Sequence, residues 1–210
     1  METTKKGLRM LITIDREFGS GGREIGRRLA EALGIAYYDR EIIEEIAKKT
    51  DYCLEYIEQA SESKPVSLLP IHYGQTLSYG FDMSMQQNME ILEIQNKILL
   101  DLAERSSCVI IGRAADYILR EHHPYKIFVY ASDEFKINRF KKFDEENTPG
   151  KVILKKMKEV DKNRRKYYEF VTGYPWAERH NYDLLVDSSS CDLKLLSVSL
   201  AALIKKQSNL

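Results

Sequence analysis

The chain has 210 residues, with 32 Lys and Arg balancing 32 Asp and Glu, and three cysteines, Cys53, Cys108 and Cys191. That length buries a substantial core without disulfides or metal, and the cancelled charge excludes an overall field that would draw in nucleic acid or an anionic membrane surface. The cysteines are few, far apart and odd in number, which suits a reducing cytoplasm, and no run approaches the roughly 20 apolar residues that span a bilayer. The expectation is one cytoplasmic domain over residues 1–210, with neither nucleic acid nor membrane as partner.

Residues 10–14 form an apolar strand pattern that runs into Arg16-Glu17-Phe18-Gly19-Ser20-Gly21-Gly22-Arg23-Glu24, and residues 23–33 then follow a helical pattern. A strand, a glycine turn and a helix in that order aim backbone amides at a phosphate. A P-loop reads G-x-x-x-x-G-K-[ST]. In that register Arg16 stands at the first glycine, Gly21 at the second, Gly22 at the lysine and Arg23 at the hydroxyl residue. The amides of Gly19, Ser20, Gly21, Gly22, Arg23 and Glu24 can cradle an anion whatever the side chains, so phosphate binding survives these changes more easily than catalysis does. The same turn also reads as a plain helix start, with Glu24 favourable at the positive end of the dipole.

Further along, residues 36–38 give a weak strand and 41–49 a helix. Residues 61–85 hold Pro65, Pro70, Gly74 and Gly80 among Tyr73, Tyr79, Phe81 and Met83, an irregular stretch. It reads as a substrate-covering loop, an oligomer interface or a surface insertion. Residues 86–104 place Ile91, Ile94, Ile98 and Leu102 on one helix face. Strands over 108–111, 126–130 and 184–186 alternate with helices over 114–121, 134–142, 151–170 and 193–204. The stronger strands are almost continuously apolar, the signature of burial on both faces of a parallel sheet, so the fold class is a doubly wound α/β sheet. The charged stretch 147–176 closes on Thr172-Gly173-Tyr174-Pro175-Trp176 and reads as a lid. His122 and His123 are adjacent and diverge on a helix, which is unlike a zinc motif.

Taken together, these residues resemble the cytidylate kinases, and most closely the cytidylate kinase-like family. Ile12-Thr13-Ile14-Asp15, Gly19-Ser20-Gly21 and Tyr37-Tyr38-Asp39 resemble the family's opening, and Ile111-Gly112-Arg113 resembles its D-G-R-D turn. Asp161-Lys162-Asn163-Arg164 is similar to the lid's D-x-x-R, and Tyr182-Asp183-Leu184-Leu185-Val186-Asp187-Ser188 to its terminal stretch. The resemblance implies a P-loop nucleoside monophosphate kinase fold: five parallel strands in the order 2-3-1-4-5, an acceptor-side excursion over residues 39–85 and a lid over 147–176. It also implies ATP and magnesium as cofactors, and a nucleotide or other small phosphate acceptor as partner.

The catalytic residues implied are Arg23, Arg113, Arg164 and Asp15. Arg23 stands in for the missing lysine charge, and Arg113, after Gly112, matches the arginine that holds the acceptor's phosphate. Arg164 and Arg165 supply lid cations. Asp15 or Ser20 is left to hold magnesium, and Asp39 is retained on the acceptor side. The bland counterparts are an Arg113–Asp116 pair, a helix cap at Asp39, a solvated helix face at Arg164 and Arg165, and packing rather than base stacking for Tyr167, Tyr168, Tyr174 and Trp176. Three functions stay open: an ATP-dependent phosphotransferase, a nucleotide-binding regulator without transfer, and an oligomeric scaffold.

Overall fold

The computed structural model describes residues 9–62, 78–144 and 146–208. Five strands, β1 (Leu11–Arg16), β2 (Ala36–Tyr38), β3 (Cys108–Ile111), β4 (Tyr125–Tyr130) and β5 (Leu184–Asp187), form one sheet in the order β2-β3-β1-β4-β5. Every pairing is parallel. The expected sheet and strand order are therefore present. Connections between parallel strands must cross over, and helices supply them. They are α1 (Gly22–Leu33), α2 (Arg40–Lys49), α3 (Leu54–Glu62), α4 (Ser78–Arg105), α5 (Ala115–Ile118), α6 (Asp133–Lys141), α7 (Gly150–Thr172) and α8 (Leu193–Ser208).

The continuous apolar runs feed two separate cores by strand alternation. From β3, Cys108 and Ile110 enter one core with Ile42, Ile46, Ile57, Ile91 and Leu99 of α2, α3 and α4. Val109 and Ile111 enter the other, with Ile12 and Ile14 of β1, Ile25 and Leu29 of α1, and Leu200 and Ile204 of α8. A third, aromatic cluster gathers Phe128, Tyr167, Tyr168, Trp176 and Tyr182. The Trp176 ring stands edge-on to Phe128 at 5.2 Å.

Two expectations are corrected. The irregular stretch is shorter than residues 61–85, because α3 runs through Glu62 and α4 begins at Ser78. Both prolines of that stretch lie before residue 71, so no ring blocks the helix from Ser78 onward, and one glycine at position 80 costs only about 1 kcal/mol. Residues 63–77, with Pro65, Pro70 and Tyr73, lie outside the described residues.

The helix expected over 114–121 is a single turn, α5, followed by the 3-10 turn Arg120–His122. Left-handed backbone at Arg113 and Ala114 delays its start, and Pro124 disfavours helical backbone at His123. Among the described residues, no helix is long and apolar enough to cross a membrane.

Candidate functional site

The register that pairs Ile14 with Ile111 and Asp15 with Phe128 brings the ends of β1, β3 and β4 level with one another. Ligands of open α/β sheets meet this carboxyl edge. Directly beyond β3, Gly112, Arg113 and Ala114 take φ of 66°, 63° and 51°, three left-handed residues in succession. Glycine accepts that backbone freely, whereas each of the other two costs roughly 1–3 kcal/mol, strain that surrounding structure must hold in place. The Gly112 N–H donates to the Ile14 carbonyl at 2.9 Å, and Gln95 of α4 donates to the Arg113 carbonyl at 3.3 Å and to the Tyr167 hydroxyl at 2.7 Å. So held, the Arg113 side chain is 4% exposed.

Arg16, at the end of β1, is equally buried and has a specific path. A Cβ placed on Gly22 would stand 2.6 Å from the Arg16 Cβ, and one placed on Gly112 would stand 2.1 Å from its Nη1. The side chain therefore runs from β1 past the first residue of α1 to the residue after β3, over two positions that lack side chains.

Helix α7 closes the site from above. Arg164 is buried, and its Nη1 donates to the Arg16 carbonyl at 3.3 Å. Three residues earlier, the Asp161 carboxylate accepts the Phe18 N–H of the glycine turn at 2.7 Å and faces Arg164 at 3.5 Å. Burial pushes the Asp161 carboxyl above its ordinary value, against the Phe18 hydrogen bond and the Arg164 charge. Arg16, Arg113 and Arg164 line one cleft together with Asp15, Ala114, Tyr167, Tyr168 and Trp176. The cleft is narrow, with room for about one water molecule.

Acids balance the guanidinium groups. The Tyr182 hydroxyl donates to Asp15 at 3.1 Å, and the Tyr168 hydroxyl donates to Asp116 at 2.6 Å. Burial, and then the nearby Asp15 charge, pushes the Asp116 carboxyl up to about 7. Both tyrosine hydroxyls are held far above their ordinary range by burial first and by these carboxylates second. Buried cations, a carboxylate and aromatic side chains thus share one cleft beneath α7.

The structure brings Asp15, Arg113 and Arg164 of the expected set together and carries others elsewhere. Arg23 is half exposed on the first turn of α1 and pairs with Asp39 at 2.8 Å, outside the cleft lining. Asp39 precedes α2 without a side-chain capping bond. Ser20 is fully buried, and its hydroxyl donates to the Glu17 carbonyl at 2.9 Å. Gly19 and Gly21 take left-handed φ of 80° and 84°, with Lys136 and Leu193 packed over them. Gly22 starts α1, where Glu24 is bound by Arg28 and Arg139. Arg165 lies 5.7 Å over the Trp176 ring. Tyr167, Tyr168 and Trp176 reach the cleft, while Tyr174 is exposed against Tyr117. The Asp116 expected as a partner for Arg113 is engaged by Tyr168.

Sequence reasoning gave Arg16 no role. Its signal was present as a reciprocal exchange, an arginine where the P-loop has glycine and a glycine where it has lysine.

Residues 11–190 match the profile of the cytidylate kinase-like family. The chain belongs to that family. An uncharacterized protein from Eubacterium ventriosum shares 24% identity over 94% of this chain and 99% of that one, with a TM-score of 0.69. Shikimate kinase from Acinetobacter baumannii, solved with shikimate, is 17% identical over 97% and 98% of the two chains, with a TM-score of 0.50. A gluconokinase from Sinorhizobium meliloti is 19% identical over 96% and 95%, with a TM-score of 0.51. At these identities the likeness shows a shared kinase fold. No curated protein matches the chain. In this chain Arg16, Arg113 and Arg164 reach a common cleft.

Proposed function

We propose that this member of the cytidylate kinase-like family is an ATP-dependent phosphotransferase acting on a nucleotide or another small anionic acceptor. One observation carries the reading: three buried arginines, from the ends of β1 and β3 and from the lid, converge with Asp15 on one cleft at the carboxyl edge. Guanidinium groups gathered beside their own acidic partners at a sheet's carboxyl edge make a site suited to gripping a phosphate. Phosphoryl transfer asks for little else, since positioning and concentrated positive charge supply most of the catalysis.

In this reading Arg113 holds the acceptor's anionic group, Arg164 covers the phosphates from the lid, and Tyr167, Tyr168 and Trp176 exclude water. Magnesium fits the donor set modestly: among the described residues no cluster of three His, Cys, Asp or Glu is present, yet a hard ion that keeps several waters needs only one or two carboxylates beside the nucleotide's own oxygens. Asp15 is the residue that would hold it, and the ion would offset charge on the phosphates. The free thiols of Cys53, Cys108 and Cys191 accord with a cytoplasmic setting. A nucleotide-binding regulator remains the second reading, because Gly22 brings no charge to the lysine position.

The test measures ADP release from magnesium-ATP across nucleoside monophosphates, shikimate and gluconate, with thermal stabilisation by each ligand alongside. Turnover with at least one acceptor is expected, lost in Arg113→Ala. Stabilisation by ATP with no turnover across the panel favours the regulator, and a flat melting temperature at saturating nucleotide removes both readings.

A further inference from the structure

We propose that Arg16 replaces the P-loop lysine, as a catalytic residue whose guanidinium contacts the phosphoryl group being transferred. The inference rests on the phosphotransferase reading above and names a residue that the P-loop register assigns to a glycine.

Space around Gly22 is short. A lysine at position 22 begins with a Cβ, and that atom would lie 2.6 Å from the Arg16 Cβ and 3.1 Å from its Cγ, closer than real carbon atoms approach. Arg16 on its present path and a lysine at 22 therefore exclude each other, so the two departures from the P-loop pattern are sterically linked. Arg16 also has the reach. The Arg16 guanidinium ends over Gly112, whose own Cβ would stand 2.1 Å from Nη1, so the charge is delivered to the gap between α1 and the end of β3. Arg16 is 5% exposed and lines the same cleft as Arg113, Arg164 and Asp15. Arg23, the nearer substitute in sequence, turns away to Asp39.

In the step itself, a lone pair on the acceptor's nucleophilic oxygen, a phosphate oxygen in a nucleoside monophosphate or a hydroxyl in a small alcohol, forms the new bond to the terminal phosphorus of ATP. The bond from that phosphorus to the bridging oxygen breaks and its electron pair leaves on ADP; a hydroxyl acceptor also gives up its proton to solvent, and an ionised phosphate oxygen has none to lose. Arg16 keeps its own proton throughout and stabilises charge on the oxygens in flight, as a guanidinium does over the whole working pH range.

The experiment compares the full-length chain with Arg16→Met, Arg16→Lys, Gly22→Lys and the double variant Arg16→Gly/Gly22→Lys. Unliganded melting temperature reports folding, titration with magnesium-ATP reports affinity, and ADP release reports kcat and KM. Arg16→Met, which keeps a long unbranched chain without charge, is expected to fold and to lose kcat by roughly 100-fold, the scale of one charge-stabilising contact. Arg16→Lys should recover part of that loss. Gly22→Lys alone should lower the melting temperature and weaken ATP binding, and the double variant, which rebuilds the ordinary P-loop side chains, should restore both.

Wild-type kcat in Arg16→Met, or a double variant no better than Gly22→Lys alone, overturns the proposal. A wild-type chain that binds no nucleotide removes the phosphotransferase reading first, and the role of Arg16 falls with it.

Discussion

Asp116 is 6% exposed, lies near the Asp15 charge and accepts the Tyr168 hydroxyl at 2.6 Å. Folding raises this carboxyl from its ordinary 3.8 to about 7. Between those two values the native chain holds a proton that the unfolded chain has released. The stability linked to Asp116 is then fully present below 3.8 and is lost as pH rises through about 7. Asp116→Asn, neutral at every pH and of the same shape, should remove that slope. Thermal unfolding at about pH 5 and about pH 8 should show the variant gaining on wild type at the higher pH, and an equal difference at both would mean that no proton is retained. Neither this acid nor Arg16 was legible in the sequence as part of the site. Arg113 and Arg164 were legible because they sit in motif positions, just after β3 and on α7. Arg16 and Asp116 acquire their meaning from where side chains travel after the backbone is placed, past Gly22 in one case and beneath Tyr168 in the other.

Helix α7 meets the glycine turn through two polar contacts of opposite sense, the Phe18 N–H donating to Asp161 at 2.7 Å and Arg164 donating to the Arg16 carbonyl at 3.3 Å. A carboxylate on a backbone amide of a phosphate-type turn is a charge-assisted bond, worth roughly twice a neutral one. The helix is thereby latched to the turn it covers. Asp161→Ala should release the Phe18 amide, and hydrogen exchange there should quicken about 10- to 100-fold, the equivalent of about 1–3 kcal/mol of lost local protection. Unchanged exchange at Phe18 would assign the docking of α7 to Tyr167, Tyr168 and Met157 packing instead. At this scale most of the fold was legible. The strands stood out because they are apolar on both faces, and α1, α2, α4, α6, α7 and α8 because their apolar positions recur at helical spacing. The missed helix α3 has a modest periodic signal, with Ile57 its one fully buried apolar side chain, and tertiary contact with α2 and α4 defines it. The shortened α5 was missed because backbone sign, which the sequence does not display for Arg113 and Ala114, sets where it starts.

The cleft depends on both cores at once, because the strands that carry Arg16 and Arg113 divide their side chains between them. Leu11 of β1 and Cys108 and Ile110 of β3 pack with α2, α3 and α4, while Ile12 and Ile14 of β1 and Val109 and Ile111 of β3 pack with α1 and α8. Loosening either core releases one face of the same strands, so neither can melt while the other stays native. The expected behaviour is one cooperative unit. Leu99 of the first core and Leu29 of the second are both fully buried, and truncating either to alanine should lower a single unfolding transition by about 2–5 kcal/mol. The two side chains lie in separate clusters, so the double variant should add to within about 0.5 kcal/mol. Calorimetry that resolves two transitions, with Leu99→Ala moving only one of them, would mean that the sheet does not couple the cores. The geometry of the arginines would then answer to one side of the sheet alone, and ATP stabilisation of the wild type would raise only the transition that Leu29→Ala or Leu99→Ala lowers.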